Sequence, residues 1–116
     1  MRYALLIYND AEIDNRPEPE RHRVTERVYE VLARPSVTGW LRLRDVESAT
    51  TVRHRQSGAL LTDGPYVDSK DYLGGLILLE AENLDAALGV AGELQEIRGA
   101  GAIEVRPVHA GELRGA

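Results

Sequence analysis

The segment Arg2 to Tyr8 constrains this chain more than any other, because both of its alternating faces are apolar. Tyr3, Leu5 and Ile7 lie on one side and Ala4, Leu6 and Tyr8 on the other. A strand with two apolar faces belongs inside a sheet that is covered on both sides. With 116 residues the chain has material for one core, burying roughly 65% of its unfolded surface. Whatever covers the second face therefore has to come from a small set of elements or from another molecule.

The rest of the chain supplies two helices and several strands. Asn9 to Pro19 is polar and holds two prolines, which predicts an exposed connection. Glu20 to Ala33 follows with helical periodicity. Val24, Val28, Val31 and Leu32 make its apolar stripe, and Arg21, Arg23, Glu26, Arg27 and Glu30 face water. Pro35 ends it. Val37 to Leu43 reads as a strand weakened by Gly39. Thr50 to Arg55 and Ala59 to Leu61 read as a hairpin turning through Gln56, Ser57 and Gly58. Leu73 to Ala81 is the second strong strand. Asn83 is placed to cap a helix whose stripe is Leu84, Ala87, Leu88, Ala91 and Leu94, ended by Gly99 to Gly101. Ala102 to Val108 closes the series as a strand, and 111–116 reads as a flexible tail after a single domain over 1–110.

This order, β-α-β-hairpin-β-α-β, is the split βαβ pattern of an α+β ferredoxin-like sandwich, βαββαβ with an extra hairpin. It has an antiparallel sheet with two helices on one face. The other face is left bare, and because the first strand is apolar on that side too, the economical cover is a second copy of the chain, giving a homodimer.

Composition narrows the partners. Fourteen basic against nineteen acidic residues give a net charge of −5 and a pI near 5.2. That balance disfavours nucleic acid, whose binding rests on clustered positive charge. Thirteen of the basic residues are Arg, and Lys70 is the single Lys. The apolar run in MRYALLIYND is too short for a signal-peptide core or a membrane span, and the absence of cysteine fits a reducing compartment, so the expected location is cytoplasmic with no membrane partner. Without cysteines, and with no histidine pair at ligand spacing, no metal site and no cofactor are expected. Neither a serine nucleophile elbow nor a phosphate loop is present.

The densest polar motif lies between Leu61 and Gly75. Asp63, Gly64 and Pro65 form a turn signature in which the aspartate can bond backbone amides ahead of it, and Tyr66, Asp68, Lys70 and Asp71 follow. Two readings are open: a loop whose polar residues only fix its own shape, or a loop folded over the end of the sheet that presents Asp63, Tyr66 and Lys70 to a cleft. Arg53 and Arg106 are candidates for binding a carboxylate bidentately, with Lys70 adding charge. The alternative is that Arg106 simply pairs with Glu104. Histidine is the natural proton carrier near neutrality, and of His22, His54 and His109 the sequence singles out His22, with Asp63, as candidate catalytic groups.

The Asp63-Gly64-Pro65-Tyr66 tetrapeptide resembles the one that names the DGPF subgroup of the YCII-related proteins, with Tyr66 in place of the usual Phe. The similarity extends to Arg2-Tyr3-Ala4-Leu5-Leu6-Ile7-Tyr8, Ala49 to Arg53, Leu73-Gly74-Gly75, Ala81 to Ala87 and Ile103 to Val108. The resemblance implies a dimeric α/β barrel in which two sheets pack face to face. For activity it implies two alternatives. One is an accessory or regulatory module that binds a protein partner, such as an extracytoplasmic-function sigma factor, or a small anionic metabolite. The other is a small-molecule enzyme of the isomerase or lyase kind with a cleft at the sheet end. His22 lies near the helix position where the YCII-related enzymes carry a histidine.

Overall fold

The computed structural model describes residues 1–114. Four strands form one antiparallel sheet in the order β2-β5-β1-β6, with β1 Arg2–Asn9, β2 Val37–Arg42, β5 Tyr72–Glu80 and β6 Ala102–Pro107. As expected of a strand apolar on both faces, β1 lies inside the sheet between β5 and β6. The helices are α1 Ala11–Asp14, α2 Glu18–Leu32 and α3 Leu84–Arg98. The architecture is α+β and consistent with a ferredoxin-like fold.

Tyr3, Leu5, Ile77 and Leu79 on one sheet face pack against Val31 and Leu32 of α2 and Ala87, Ala91 and Leu94 of α3. Leu5, Leu79 and Ala87 are fully buried. Asn83 caps α3 by accepting from the Ala86 amide at 2.9 Å, and Gly99 ends the helix in the left-handed region. Leu84 and Leu88 correct the expected stripe of α3: both are exposed, and the buried line runs Ala87, Ala91, Leu94, Arg98. Val90 and Ile97 pack against the core beside this line, so the buried face of the helix is turned away from Leu84 and Leu88. Arg34, just beyond α2, donates to both oxygens of Glu93 on α3 and ties the helices together. The short helix α1 was not expected; Asp10 starts it by accepting from the Ile13 amide at 3.1 Å.

The opposite sheet face carries Ala4, Leu6, Leu76 and Leu78, all half-buried, and the exposed Leu41. Leu113 and Arg114 lie against this face beside Leu41 and Leu76. The expected tail over 111–116 has no regular secondary structure as far as Arg114, and Gly115 and Ala116 lie outside the described residues. Among the described residues no helix is long and apolar enough to cross a membrane.

Between β2 and β5 the chain forms a separate two-stranded sheet, β3 Thr50–Arg55 and β4 Gly58–Asp63, preceded by a single 3-10 turn at Val46–Ser48. Gly58, at φ 119°, closes its two-residue turn. This hairpin stands away from the body as an arm. The radius of gyration is 16.1 Å, whereas a compact domain of this length is expected near 13 Å.

Candidate functional site

At the end of the sheet where β1 finishes and β5 begins, a partly open cavity of about 180 Å³ separates the sheet from α2. Its walls are apolar: Ile7, Ile77 and Ile103 from the sheet, Ile13 from α1, Val24, Val28 and Leu32 from α2, and Leu94 from α3. Tyr29 and Trp40 form an aromatic pair on one side, their ring centroids 5.4 Å apart. The polar groups are few: Asn9, Thr25, Arg42 and Arg98. Among the described residues that line the cavity, the charged ones are the two arginines, in a chain with nineteen acidic side chains.

Two glycines line the cavity at positions where the packing leaves no room for a side chain. Gly74 and Gly75 lie side by side in β5 at its floor. Gly74 is the extra residue of a bulge, since Ile7 pairs with Gly75 and Tyr8 with Leu73. A Cβ on Gly74 would collide with the Asn9 amide, and one on Gly75 would stand 2.8 Å from the Leu41 carbonyl oxygen. Two adjacent glycines inside a strand signal a bulge or a close approach, and that signal was available in the sequence.

Arg98 anchors the inner end. It is 8% exposed and continues the buried line of α3 one turn past Leu94. Its Nη1 donates to Gln95 Oε1 at 2.8 Å and to the Ala102 carbonyl at 3.4 Å. Nη2 donates to the Tyr8 carbonyl at 2.9 Å and to Asn9 Oδ1 at 2.8 Å. These partners are all neutral, and among the described residues no carboxylate comes within 4.0 Å of it. Burial, and then the neighbouring Arg16, lower its pKa, while Asp10 acts the other way. Arg98 thus lends the cavity positive potential that no ion pair cancels. Arg42 sits at the mouth, exposed, with Nη1 3.3 Å from the Tyr29 hydroxyl.

A second polar group borders Asn9. The Tyr72 hydroxyl donates to Asp14, lying 2.6 and 2.7 Å from its two carboxylate oxygens. Burial and then this hydrogen bond push the Tyr72 pKa up to about 12, while Asn9 acts in the opposite sense.

The residues expected from the sequence to carry the function lie elsewhere. His22 is exposed on α2, with Nε2 3.0 Å from Glu26. Arg106 lies on β6 with Nε 3.9 Å from Glu104, the pairing foreseen as the alternative. Asp63 ends β4, and Lys70 is exposed in the loop that follows. Arg53 and Tyr66 do come together, the guanidinium 4.9 Å from the ring centroid. Tyr66 lies against Arg53 of the arm, and Asp63, Tyr66 and Lys70 are not among the residues that line the cavity. The turn is also held differently from the expectation. The Gly64 amide donates to the Ala49 carbonyl at 2.7 Å and the Thr51 hydroxyl to the Gly64 carbonyl at 2.8 Å, with no described bond from the Asp63 carboxylate.

Sequence reasoning missed Asn9, Arg42, Tyr72 and Arg98. For Arg98 the clue was a charged residue where the stripe of α3 calls for an apolar one. Arg42, at the end of an edge strand, carried no such mark.

The YCII-related domain model matches residues 1–110. An uncharacterised protein of Rhizobium meliloti (strain 1021) is 32% identical over 114 residues, covering 93% of this chain and 92% of that protein. Among solved structures, 5-chloro-2-hydroxyhydroquinone dehydrochlorinase from Burkholderia phenoliruptrix AC1100, in complex with 2,5-dihydroxybenzoquinone, matches with a TM-score of 0.51. The alignment covers 96% of each chain at 16% identity, a likeness of fold. With that domain spanning nearly all of its length, the chain belongs to the YCII-related family.

Proposed function

We propose that the protein binds a small, single-ring organic acid in the cavity between the sheet and α2. The observation that carries this reading is the cavity lining: aromatic and aliphatic walls, with Arg42 and Arg98 as its charged members in an acidic protein. The size is suitable, since cavities of about 150 Å³ accept benzene, and this one is about 180 Å³. The ring would lie along Tyr29 and Trp40, and its acidic group would meet Arg42 at the mouth, where the guanidinium has donors to spare. Arg98, whose four terminal N–H groups already serve carbonyls, would contribute potential rather than direct contact. Of the partners expected from the sequence, this favours the small anionic metabolite over a protein.

A second reading, proton transfer on the bound ring, is supported by the Asp14–Tyr72 pair beside Asn9. The fold neighbour's substrate is a hydroxylated single ring, which accords with either reading. Tyr72 pairs with Asn9 across the sheet, but neither it nor Asp14 lines the cavity, and the same is true of His22 and Asp63, so this reading has the weaker support. The Asp63-Gly64-Pro65-Tyr66 sequence further supports placing the chain in the DGPF subgroup. The half-buried Leu6, Leu76 and Leu78 support pairing of two chains through the helix-free sheet face.

Trp40 is the chain's single Trp, so its emission reports on the cavity directly. Titration with benzoate is expected to change that emission saturably, while the neutral isostere benzamide binds at least tenfold more weakly. Arg42→Gln should sharply reduce the preference for the acid, leaving only the part that the potential of Arg98 supplies. Equal affinity for acid and amide in the wild-type protein would refute the assignment.

A further inference from the structure

The β3–β4 arm is the least supported part of the molecule. Neither of its strands bonds to the main sheet, and every residue from Thr50 to Asp63 except Thr51 is exposed. Val52 and Leu61 lie directly opposite each other on one face at 66% and 67% exposure, turned away from the face on which Arg53 meets Tyr66. A lone two-stranded hairpin is marginally stable in water, and unpaired strand edges invite another chain. Something must cover this arm.

The surface area leaves room for a partner. The chain exposes 8413 Å², whereas a compact monomer of 12.8 kDa should expose about 6,300 Å². The surplus, about 2,000 Å², exceeds the roughly 800 Å² per partner that a stable interface uses. Charge points to the occupant. The outer half of the arm carries Arg53, His54 and Arg55 on a molecule whose net charge is −5, so a second copy presents it with an attractive field. A two-fold exchange in which each chain gives one arm and receives one also closes the assembly at two.

We infer that the β3–β4 arm clasps a second copy of this chain, its Val52–Leu61 face packed on the partner. This is separate from pairing through the helix-free sheet face, and each can fail alone.

The test compares three proteins by sedimentation equilibrium and amide hydrogen exchange: wild type, Val52→Glu/Leu61→Glu, and Leu76→Glu on the sheet face. The wild type is expected to be dimeric, with the amides of β3 and β4 exchanging more slowly as protein concentration rises. The arm variant should raise the dimer dissociation constant at least tenfold, with its circular dichroism otherwise unchanged. Should that variant not fold, Arg55→Glu at the arm tip is expected to weaken the dimer more at low salt than at high salt. A monomeric wild type overturns the inference. So does a dimer that Leu76→Glu disrupts while the arm variants leave it intact, which would preserve sheet-face pairing alone.

Discussion

The body and the arm of this molecule are both antiparallel β-structure, yet they are held by different forces. In the body, alternation sends Tyr3, Leu5, Ile77 and Leu79 into one core against two helices, so each strand is fixed by apolar burial as well as by its ladder. In the arm the same alternation sends Val52 and Leu61 into solvent, and what remains is one ladder, one cation–π contact and a few turn bonds. The lesson is that strand pairing alone says little about where stability resides. The body encloses a cavity that Gly74 and Gly75 line, whereas the arm carries a polar motif with no enclosing wall.

The sharpest way to break this contrast is truncation of matched leucines. Leu79→Ala in the body should cost about 3–4 kcal/mol in urea unfolding, because Leu79 is fully buried and its cavity cannot collapse. Leu61→Ala in the arm should cost less than about 0.5 kcal/mol at concentrations where the chain is monomeric. Similar losses at both positions would mean that the arm is packed within its own chain.

Two glycines give a smaller difference. Gly101 has φ 70°, and a Cβ there would stand 2.3 Å from the Tyr8 carbonyl oxygen. Gly101→Ala should therefore cost about 2 kcal/mol or more, the sum of left-handed strain and a backbone clash. Gly58 in the arm has positive φ but open space around it, so Gly58→Ala should cost about 1 kcal/mol, strain alone.

The smallest effect is a pH dependence confined to the body. Tyr72 has its pKa raised to about 12 by burial and by Asp14, against about 10 in the unfolded chain. Burial and the hydrogen bond together therefore favour the fold with a neutral Tyr72 fully below pH 10, and that advantage is lost as pH rises from 10 to about 12. Because the site is partly open to solvent, the contribution is of order 1 kcal/mol. Tyr72→Phe should be less stable than wild type by that amount at pH 8, and the gap should close toward pH 12 in alkaline unfolding.

Much of the fold was legible from local pattern. The two apolar faces of Arg2 to Tyr8 announced an interior strand, Gly39 marked the irregular register of β2, and Asn83 and Gly99 bracketed α3. Those signals lie within a few residues of one another, where propensity and periodicity act. The cavity was not legible, because Asn9, Arg42, Gly74 and Arg98 come from four distant segments and meet only through the sheet order. The helix α1 was hidden by its brevity, since four residues show no period. The polar loop attracted attention because its residues are contiguous. Contiguity in sequence does not make a pocket; in the folded chain Arg53 and Tyr66 satisfy each other on the arm.

The most direct test of the cavity assignment is a crystal structure of the protein soaked with benzoate. The account predicts density for the ring against Tyr29 and Trp40, above Gly74 and Gly75, with an acidic oxygen at Arg42. A ring bound instead at Asp63, Tyr66 and Lys70, with the cavity unaltered, would contradict it and return the function to the loop.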